Sequence, residues 1–443
     1  MSQYRAYPAY KDSGIEWIGQ VPEEWLNRKV FHAFQAIGSG TTPPSKEHEW
    51  YQGGTIPWIT TSELRENTVV KTKKCVTSDA MQKFSALKIF PAGSLAIAMY
   101  GATIGRLGFL GIPATTNQAC CVLSGERDLN IQFLYYWLMA FRADIVAFFS
   151  EGGGQPNINQ EVIASLRVPS PAPDEQATIV ATLDRETARI DALIEKKNRF
   201  IELLKEKRQA LITHAVTKGL DRNAKMKDSG IEWIGQVPEH WEVKPFKYIL
   251  SAPMSYGANE SAESDDPNHP RYIRITDLTE NGTLREDTFK TLPWDKAYSY
   301  LLSDGDILLA RSGATVGKSF LYRETNGAAC FAGYLIKASC DEEKALPKYI
   351  YAYLQSHSYW EYISGSNIQS TIQNVSAEKY SSMVLPVPQR EEQATIAATL
   401  DRETARIDAL ISKAEQSITL LKERRAAFIT AAVTGQIDLR GKQ

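Results

Sequence analysis

At 443 residues, with 43% hydrophobic and 23% charged residues, the chain has the balance of a globular rather than a disordered protein, and room for two to four domains of about 100–200 residues each. A formal net charge of −2 excludes a protein that coats nucleic acid through a uniformly basic surface, although a local basic face fits inside a neutral total. Five cysteines without CxxC spacing, six scattered histidines, an opening without an apolar signal region and no apolar run long enough to cross a bilayer speak against zinc, disulfides, secretion and membrane spans, so a cytoplasmic protein with free thiols is expected.

Residues 11–25 read KDSGIEWIGQVPEEW and return almost letter for letter at 227–241. Ile15, Trp17, Ile18 and Val21 give this block an apolar face suited to packing against a helix end. The insert that follows reads as mixed α/β with many short strands. Residues 39–46 (SGTTPPSK) form a turn-rich loop, 56–64 (IPWITTSEL) and 93–105 (GSLAIAMYGATIG) are strand-then-turn patterns, 131–149 are helical, and 152–157 (GGGQPN) is a glycine loop. Within them Thr41, Thr42, Lys46, Thr60, Thr61, Ser62, Arg65, Lys71, Lys73 and Lys74 offer hydroxyls and cations suited to phosphates and base edges. Gln155 and Asn157 carry amides able to pair bidentately with adenine.

Residues 168–176 (VPSPAPDEQ) close the insert: proline disfavours a helix before it, and acidic residues suit the first turn of the helix that follows. Leu183, Ile190, Leu204 and Leu211 then hold one heptad register, interrupted at Lys197 and flanked by further apolar positions such as Leu193 and Phe200, until Gly219. Residues 385–393 (LPVPQREEQ) start an equivalent helix, and the block EQATIVATLDRETARIDALI at 175–194 returns at 392–411 with one change. Leu400, Ile407, Leu421 and Phe428 match the first register, with Ala414 at the interruption and Gly435 at the end. A long helix with one apolar seam needs a partner, and the nearest is its own copy. The first helix leads into the second insert and the second leads back out, so the pair is expected to run antiparallel, each rod on the order of 60 Å for about 40 residues.

The second insert repeats the patterns at 270–278 (PRYIRITDL), 305–317 (GDILLARSGATVG) and 347–362. Arg271, Arg274, Arg311, Ser312 and Lys318, with Gln369, Ser370, Thr371 and Gln373 of the 367–373 stretch NIQSTIQ, are its candidate DNA contacts. The segment SGATVGKS at 312–319 approaches the phosphate-cradling G-x-x-x-x-G-K-[ST] pattern, but Ser312 replaces the first glycine, and the copy at 100–108 also lacks the lysine and hydroxyl. It leaves a P-loop-like nucleotide-binding enzyme as one alternative. A coiled-coil scaffold that holds proteins without touching DNA is another. No nucleophile elbow, HExxH motif or paired cysteines occur, so a binding protein without catalytic residues or metal is expected.

The GIEWIGQVPEEW opening, the variable insert ending in a Pro-rich EQ step, the long helix, and the repetition of all three resemble the specificity subunit of type I restriction-modification systems. The resemblance covers essentially the whole chain. It implies two α/β target-recognition domains, each reading one half of a bipartite, interrupted double-stranded DNA sequence, with the two helices as the spacer between them. It implies a non-catalytic subunit that docks two adenine-methyltransferase subunits and, through them, restriction subunits. S-adenosylmethionine, ATP and magnesium then belong to those partners and no cofactor to this chain. The expected layout is a recognition domain over 1–173, spacer helix over 174–218, second recognition domain over 219–390, and spacer helix with tail over 391–443, in a pseudo-two-fold repeat. Charged helix faces present twice, at Arg185, Glu186, Arg189 and Lys205 and again at Arg402, Glu403, Arg406 and Lys422, could serve two copies of one partner.

Overall fold

Both proline-punctuated steps start long helices. The computed structural model describes residues 4–150, 157–261, 263–279, 282–367 and 374–441. In it α1 (Pro173–Lys218) has 46 residues and α2 (Arg390–Val433) has 44. Asp174 and Glu175, or Glu391 and Glu392, occupy the first turn, where unpaired N–H groups favour negative charge. Gly219 and Gly435 follow the last turns at φ of 75° and 69°, a left-handed conformation that glycine adopts without strain.

The chain divides into two compact units, and the boundary falls inside the long helices. One unit holds residues 1–196 and 416–443, the other 197–415. In the first, the beginning of α1 (Ile179, Val180, Leu183) shares a core with the end of α2 (Phe428, Ile429, Val433), and Asp191 Oδ1 lies 3.1 Å from Arg425 Nε. In the second, the end of α1 (Ile212, Ala215, Val216) shares a core with the beginning of α2 (Ile396, Leu400), and Arg208 Nε lies 3.1 Å from Asp408 Oδ1. Start meets end in both, so the helices pair antiparallel. The two ion pairs are counterparts of one another in the repeat. In each the arginine Nε is buried yet not aimed along a hydrogen bond, so these are charge contacts only.

The heptad positions Leu183, Ile190, Leu204, Leu400, Ile407 and Phe428 are buried, Leu211 and Leu421 half-buried, and Ala414 at the interruption is buried as well. Leu193 and Phe200 lie outside this seam, 41% and 45% exposed.

The first recognition domain contains a five-stranded sheet and a three-stranded one. Its strands are β1 (Phe34–Gly38), β2 (Ile56–Ile59), β3 (Asn67–Val69), β4 (Lys74–Val76), β5 (Leu95–Ala98), β6 (Leu107–Leu110), β7 (Thr115–Thr116) and β8 (Cys120–Glu126). The large sheet has the order β1-β8-β5-β6-β3, antiparallel except for β6 beside β3; the small one has the order β7-β2-β4, with β7 parallel to β2. The second domain has β9 (Ser255–Tyr256), β10 (Arg271–Ile273), β11 (Ile307–Ala310), β12 (Ser319–Leu321), β13 (Ala329–Phe331) and β14 (Leu335–Ala338). These form the antiparallel sheet β9-β14-β11-β12 and the parallel pair β10-β13. Each insert leaves and rejoins the frame at one place, because Leu26–Lys29 pairs with Arg167–Ser170 and Glu242–Pro245 with Val384–Val387.

The repeated tryptophan block meets the helix ends through its last tryptophan and not through the whole of the expected apolar face. Trp25 and Trp241 are buried, and a Cβ on Gly435 or Gly219 would come within 3.2 Å of their rings. Trp17 instead packs on Trp137 and Phe141 of the domain's own helical segment. The repeated EQ step has an equally concrete cause. Gln176 is fully buried, accepts from the backbone N–H of Asn130 (2.7 Å) and donates to the carbonyls of Asp128 (3.0 Å) and Pro171 (2.9 Å). Gln393 does the same with Leu346 N (2.8 Å), Lys344 O (3.0 Å) and Pro388 O (2.8 Å). Each glutamine satisfies polar backbone that would otherwise be stranded where long helix, domain helix and closing strand meet.

One contact has no counterpart in the sequence reading. The tail after α2 lies on the N-terminal segment of the same unit: Asp438 N donates to Arg5 O (2.7 Å), Tyr10 OH to Gly435 O (3.0 Å), and the Arg440 guanidinium sits 4.6 Å from the Tyr7 ring centre.

Candidate nucleic-acid interface

The end of β2 organises the first domain's candidates. Gly40 N donates to Thr116 Oγ1 (3.0 Å), Trp58 Nε1 to Thr41 O (3.1 Å), and Asn117 N to Ile59 O (3.0 Å), which ties the loops at 41–42, 60–62 and 117–118 to the ends of β2 and β7. Glu63 caps the turn Thr61–Glu63 through Thr60 N (2.8 Å) and takes Lys73 N with its other oxygen (2.8 Å), so one carboxylate fixes two candidate loops. Thr60 Oγ1 and Ser62 Oγ lie 2.9 Å apart, and Arg65 Nε donates to Ser62 O (3.3 Å). Lys46, Lys71, Lys73 and Lys74 are exposed, the last 5.6 Å over the Tyr51 ring. Thr41, Thr42, Thr60, Thr61, Ser62, Lys73 and Lys74 are therefore brought around one small sheet. Asn157 is exposed elsewhere, bridged to Tyr100. Gln155 lies outside the described residues, as do Gln369, Ser370, Thr371 and Gln373.

The second domain builds the same frame. Ala332 N donates to Ile273 O (2.9 Å), as Asn117 N does to Ile59 O, and Asp277 takes Arg274 N (2.8 Å), as Glu63 takes Thr60 N. Loops 258–261, 274–276 and 332–334 line a cleft of 680 Å³. Glycine is required at one point of each frame: a Cβ on Gly40 would lie 1.7 Å from Thr116 O, and one on Gly257 2.2 Å from Phe331 O. Only a residue without a side chain allows the first loop to lie so close to the third.

Side chains on the two frames differ. Arg274 donates to Asp277 Oδ1 (2.8 Å) and to Thr288 O (2.5 Å). Arg271 is buried, bonded to Glu286 (2.9 Å) and to the Arg285 carbonyl (2.6 Å). Both guanidinium groups hold the 285–288 stretch in place, a structural use that the sequence pattern did not reveal. Arg311 stacks 4.8 Å from the Tyr256 ring centre, its Nε buried without a hydrogen-bond partner. Ser312 is half-buried and bridged to Asn374.

Lys318 lies at the turn between β11 and β12: Ala310 N donates to its carbonyl (2.8 Å) and its own N–H donates to Thr315 O (3.0 Å). The SGATVGKS segment is thus a tight antiparallel hairpin whose Ser319 is buried and bonded to Gln355, whereas a P-loop runs from strand into helix and cradles phosphate with its amides. The nucleotide-binding alternative is corrected on that ground.

Sequence reasoning missed Asn117, Gln118, Asn259 and Tyr334. Thr42 Oγ1 donates to Gln118 Oε1 (2.5 Å), and Asn117 Oδ1 is buried without a partner. Gln118 and Asn259 are exposed, and Tyr334 is 62% exposed beside the cleft. Their signal was positional: Asn117, Gln118 and Tyr334 belong to loops that follow the parallel strands β7 and β13, and Asn259 to the loop that lies against the one after β13. Burial pushes Cys121 and Cys330 up to about 12, and Cys120 also upward, so they stay protonated and inert.

Fold and interface together define a duplicated recognition protein, with one conserved frame and two unlike sets of exposed side chains. Both copies, over residues 22–203 and 238–420, match the family described as the type I restriction modification DNA specificity domain, and the chain belongs to it. It is a type I restriction-modification specificity subunit with two recognition domains, a component without catalytic activity of its own. The MjaVIII specificity subunit of Methanocaldococcus jannaschii is 21% identical over 95% of both chains, and the EcoKI specificity subunit of Escherichia coli K12 is 22% identical over 95% of this chain and 90% of its own. A solved chain from work on complex assembly and conformational transition of the type I R-M system covers 94% of this chain and 99% of its own at 15% identity, with a TM-score of 0.73, a likeness of fold.

Proposed function

We propose that each recognition domain reads one half of a bipartite double-stranded DNA sequence, and that the chain docks two adenine-methyltransferase subunits and, through them, restriction subunits. The observation that carries this reading is the repetition of one three-loop frame with different side chains at equivalent places, as two readers of unlike sequences require. Thr41, Thr60, Thr61, Ser62, Gln118 and Asn259 face base edges or phosphates in this reading, with Thr42 holding Gln118 and with Lys46, Lys71, Lys73 and Lys74 on the phosphate backbone. The gap between half-sites is set by α1 and α2. Docking of two like partners is supported by exposed leucines at counterpart positions, Leu193 with Leu410 and Leu203 with Leu420, and by the repeated charged pairs Arg185–Glu186 and Arg402–Glu403. S-adenosylmethionine, ATP and magnesium reside on the partners. A near-neutral net charge of −2 fits a chain whose DNA affinity draws on those partners. The test is binding of the full chain with its methyltransferase to duplexes of randomised sequence: selection of an interrupted two-part sequence supports the reading, and indifference to sequence returns it to a protein scaffold.

A further inference from the structure

We infer that each recognition domain reads one adenine with a single amide at the same place in its frame, Gln118 in the first and Asn259 in the second. The inference rests on the DNA-reading proposal above and assigns to it the chemistry of one contact per half-site.

Gln118 is exposed on the third loop, and one hydrogen bond orients its amide. The Thr42 hydroxyl donates to Oε1 at 2.5 Å, which fixes the oxygen on the Thr42 side and leaves Nε2 pointing away with its two donors. Oε1 keeps a second lone pair. The group therefore presents one acceptor and one donor side by side, the complement of the N6–H donor and N7 acceptor that adenine shows in the major groove. Guanine offers two acceptors there, and its O6 would face Oε1. Thr42 is in this account a positioning residue, not a base contact.

The second domain carries no side chain at the counterpart of Gln118, which is Gly333. The counterpart of Thr42 is Asn259, and a Cβ on Gly333 would lie 2.1 Å from Asn259 Oδ1. The amide missing from the third loop is thus supplied from the first, in the room that glycine leaves. Gly333 N donates to Ala258 O (2.7 Å), which holds the two loops together at this point. A change of loop with retention of the functional group at one location is what a conserved contact on a diverged frame looks like.

The full chain assembled with its methyltransferase subunits is incubated with duplexes randomised in both half-sites, and the bound sequences are counted for wild type, Gln118→Ala, Asn259→Ala, Thr42→Val and Thr42→Ser. Wild type selects an adenine in each half. Gln118→Ala relaxes one adenine position in one half by on the order of 10- to 100-fold, the range for a bidentate amide–adenine pair, and leaves the other half intact, which also shows that the protein is folded. Asn259→Ala does the reverse. Thr42→Val weakens the same position as Gln118→Ala by several-fold, and Thr42→Ser, which keeps the hydroxyl, does not. An unchanged adenine preference in Gln118→Ala overturns the assignment while leaving the two-domain reading standing; a wild-type chain without any preference removes both. Should Gln118→Ala bind nothing, Gln118→Glu decides, since an acceptor-only side chain shifts the choice from adenine to cytosine. Retained adenine preference in it, or no binding by either variant in a chain of wild-type helix content, counts against the inference.

Discussion

Gln176→Ala is the sharpest test of how the long helices are joined to the recognition domains. The substitution removes three hydrogen bonds at a fully buried position: the backbone N–H of Asn130 loses its acceptor at 2.7 Å, and the Asp128 and Pro171 carbonyls lose a donor at 3.0 and 2.9 Å. A buried donor left unsatisfied costs about 1–3 kcal/mol, and the side-chain void and two depleted carbonyls add to it, so a loss of roughly 3–5 kcal/mol is expected. Gln176→Glu is expected to be no better, because a carboxylate cannot donate to two carbonyls. Urea unfolding gives the total, and amide hydrogen exchange locates it: protection is expected to fall at the start of the helix Ile131–Ala140, with residues 346–353 unchanged. Gln393→Ala is the mirror experiment, with Leu346 as the stranded amide. A loss below about 1 kcal/mol, or equal loss of protection in both units, refutes the account of the EQ step as a local joint.

Three further outcomes follow. Gly257→Ala places a methyl 2.2 Å from Phe331 O, so the loops of the second cleft must part; DNA selection in one half is expected to blur while the other persists, and a crystal structure with the loop unmoved contradicts this. A double-mutant cycle on Asp191 and Arg425 is expected to give a coupling of at most about 1 kcal/mol, since the carboxylate is half-exposed and Nε is misaligned; a value above about 2 kcal/mol would mean that the ion pair, not the leucine seam, fixes the register. Burial raises Cys121, Cys330 and Cys340 to about 12 and the Tyr135 hydroxyl likewise to about 12. Above about pH 8.5 the unfolded chain releases thiol protons that the folded chain keeps, so their stabilisation is complete below that pH and is lost as pH rises toward 12. Urea midpoints at pH 7.5 and 10 measure this, and equal midpoints refute it.

The duplicated blocks made the frame readable because frame residues answer to backbone and core demands that recur in both halves: Trp25 and Trp241 cover helix ends, Gln176 and Gln393 satisfy the same three backbone groups, and the leucines fill one seam. The antiparallel pairing followed from connectivity alone. Contact residues were harder. Arg271 and Arg274 look like phosphate ligands in a string of letters, but the Arg271 guanidinium is held by Glu286, which folding brings near, and that of Arg274 by Asp277 of its own turn and by the Thr288 carbonyl. Gln118 and Asn259 stand in segments without any motif, and become notable only when the parallel strands β7 and β13 lay their loops beside the first ones. The closure of tail on N-terminus, through Asp438 and Arg5, pairs the two ends of the sequence, where no periodicity could signal it.

Domain exchange tests the central claim most directly. Residues 26–168 are replaced by the corresponding insert of another family member, and the methylated or bound DNA sequence is determined for both proteins with the same methyltransferase. The account predicts that one half of the target changes, while the other half and the gap between them stay as they were; a change in both halves, or in neither, contradicts it.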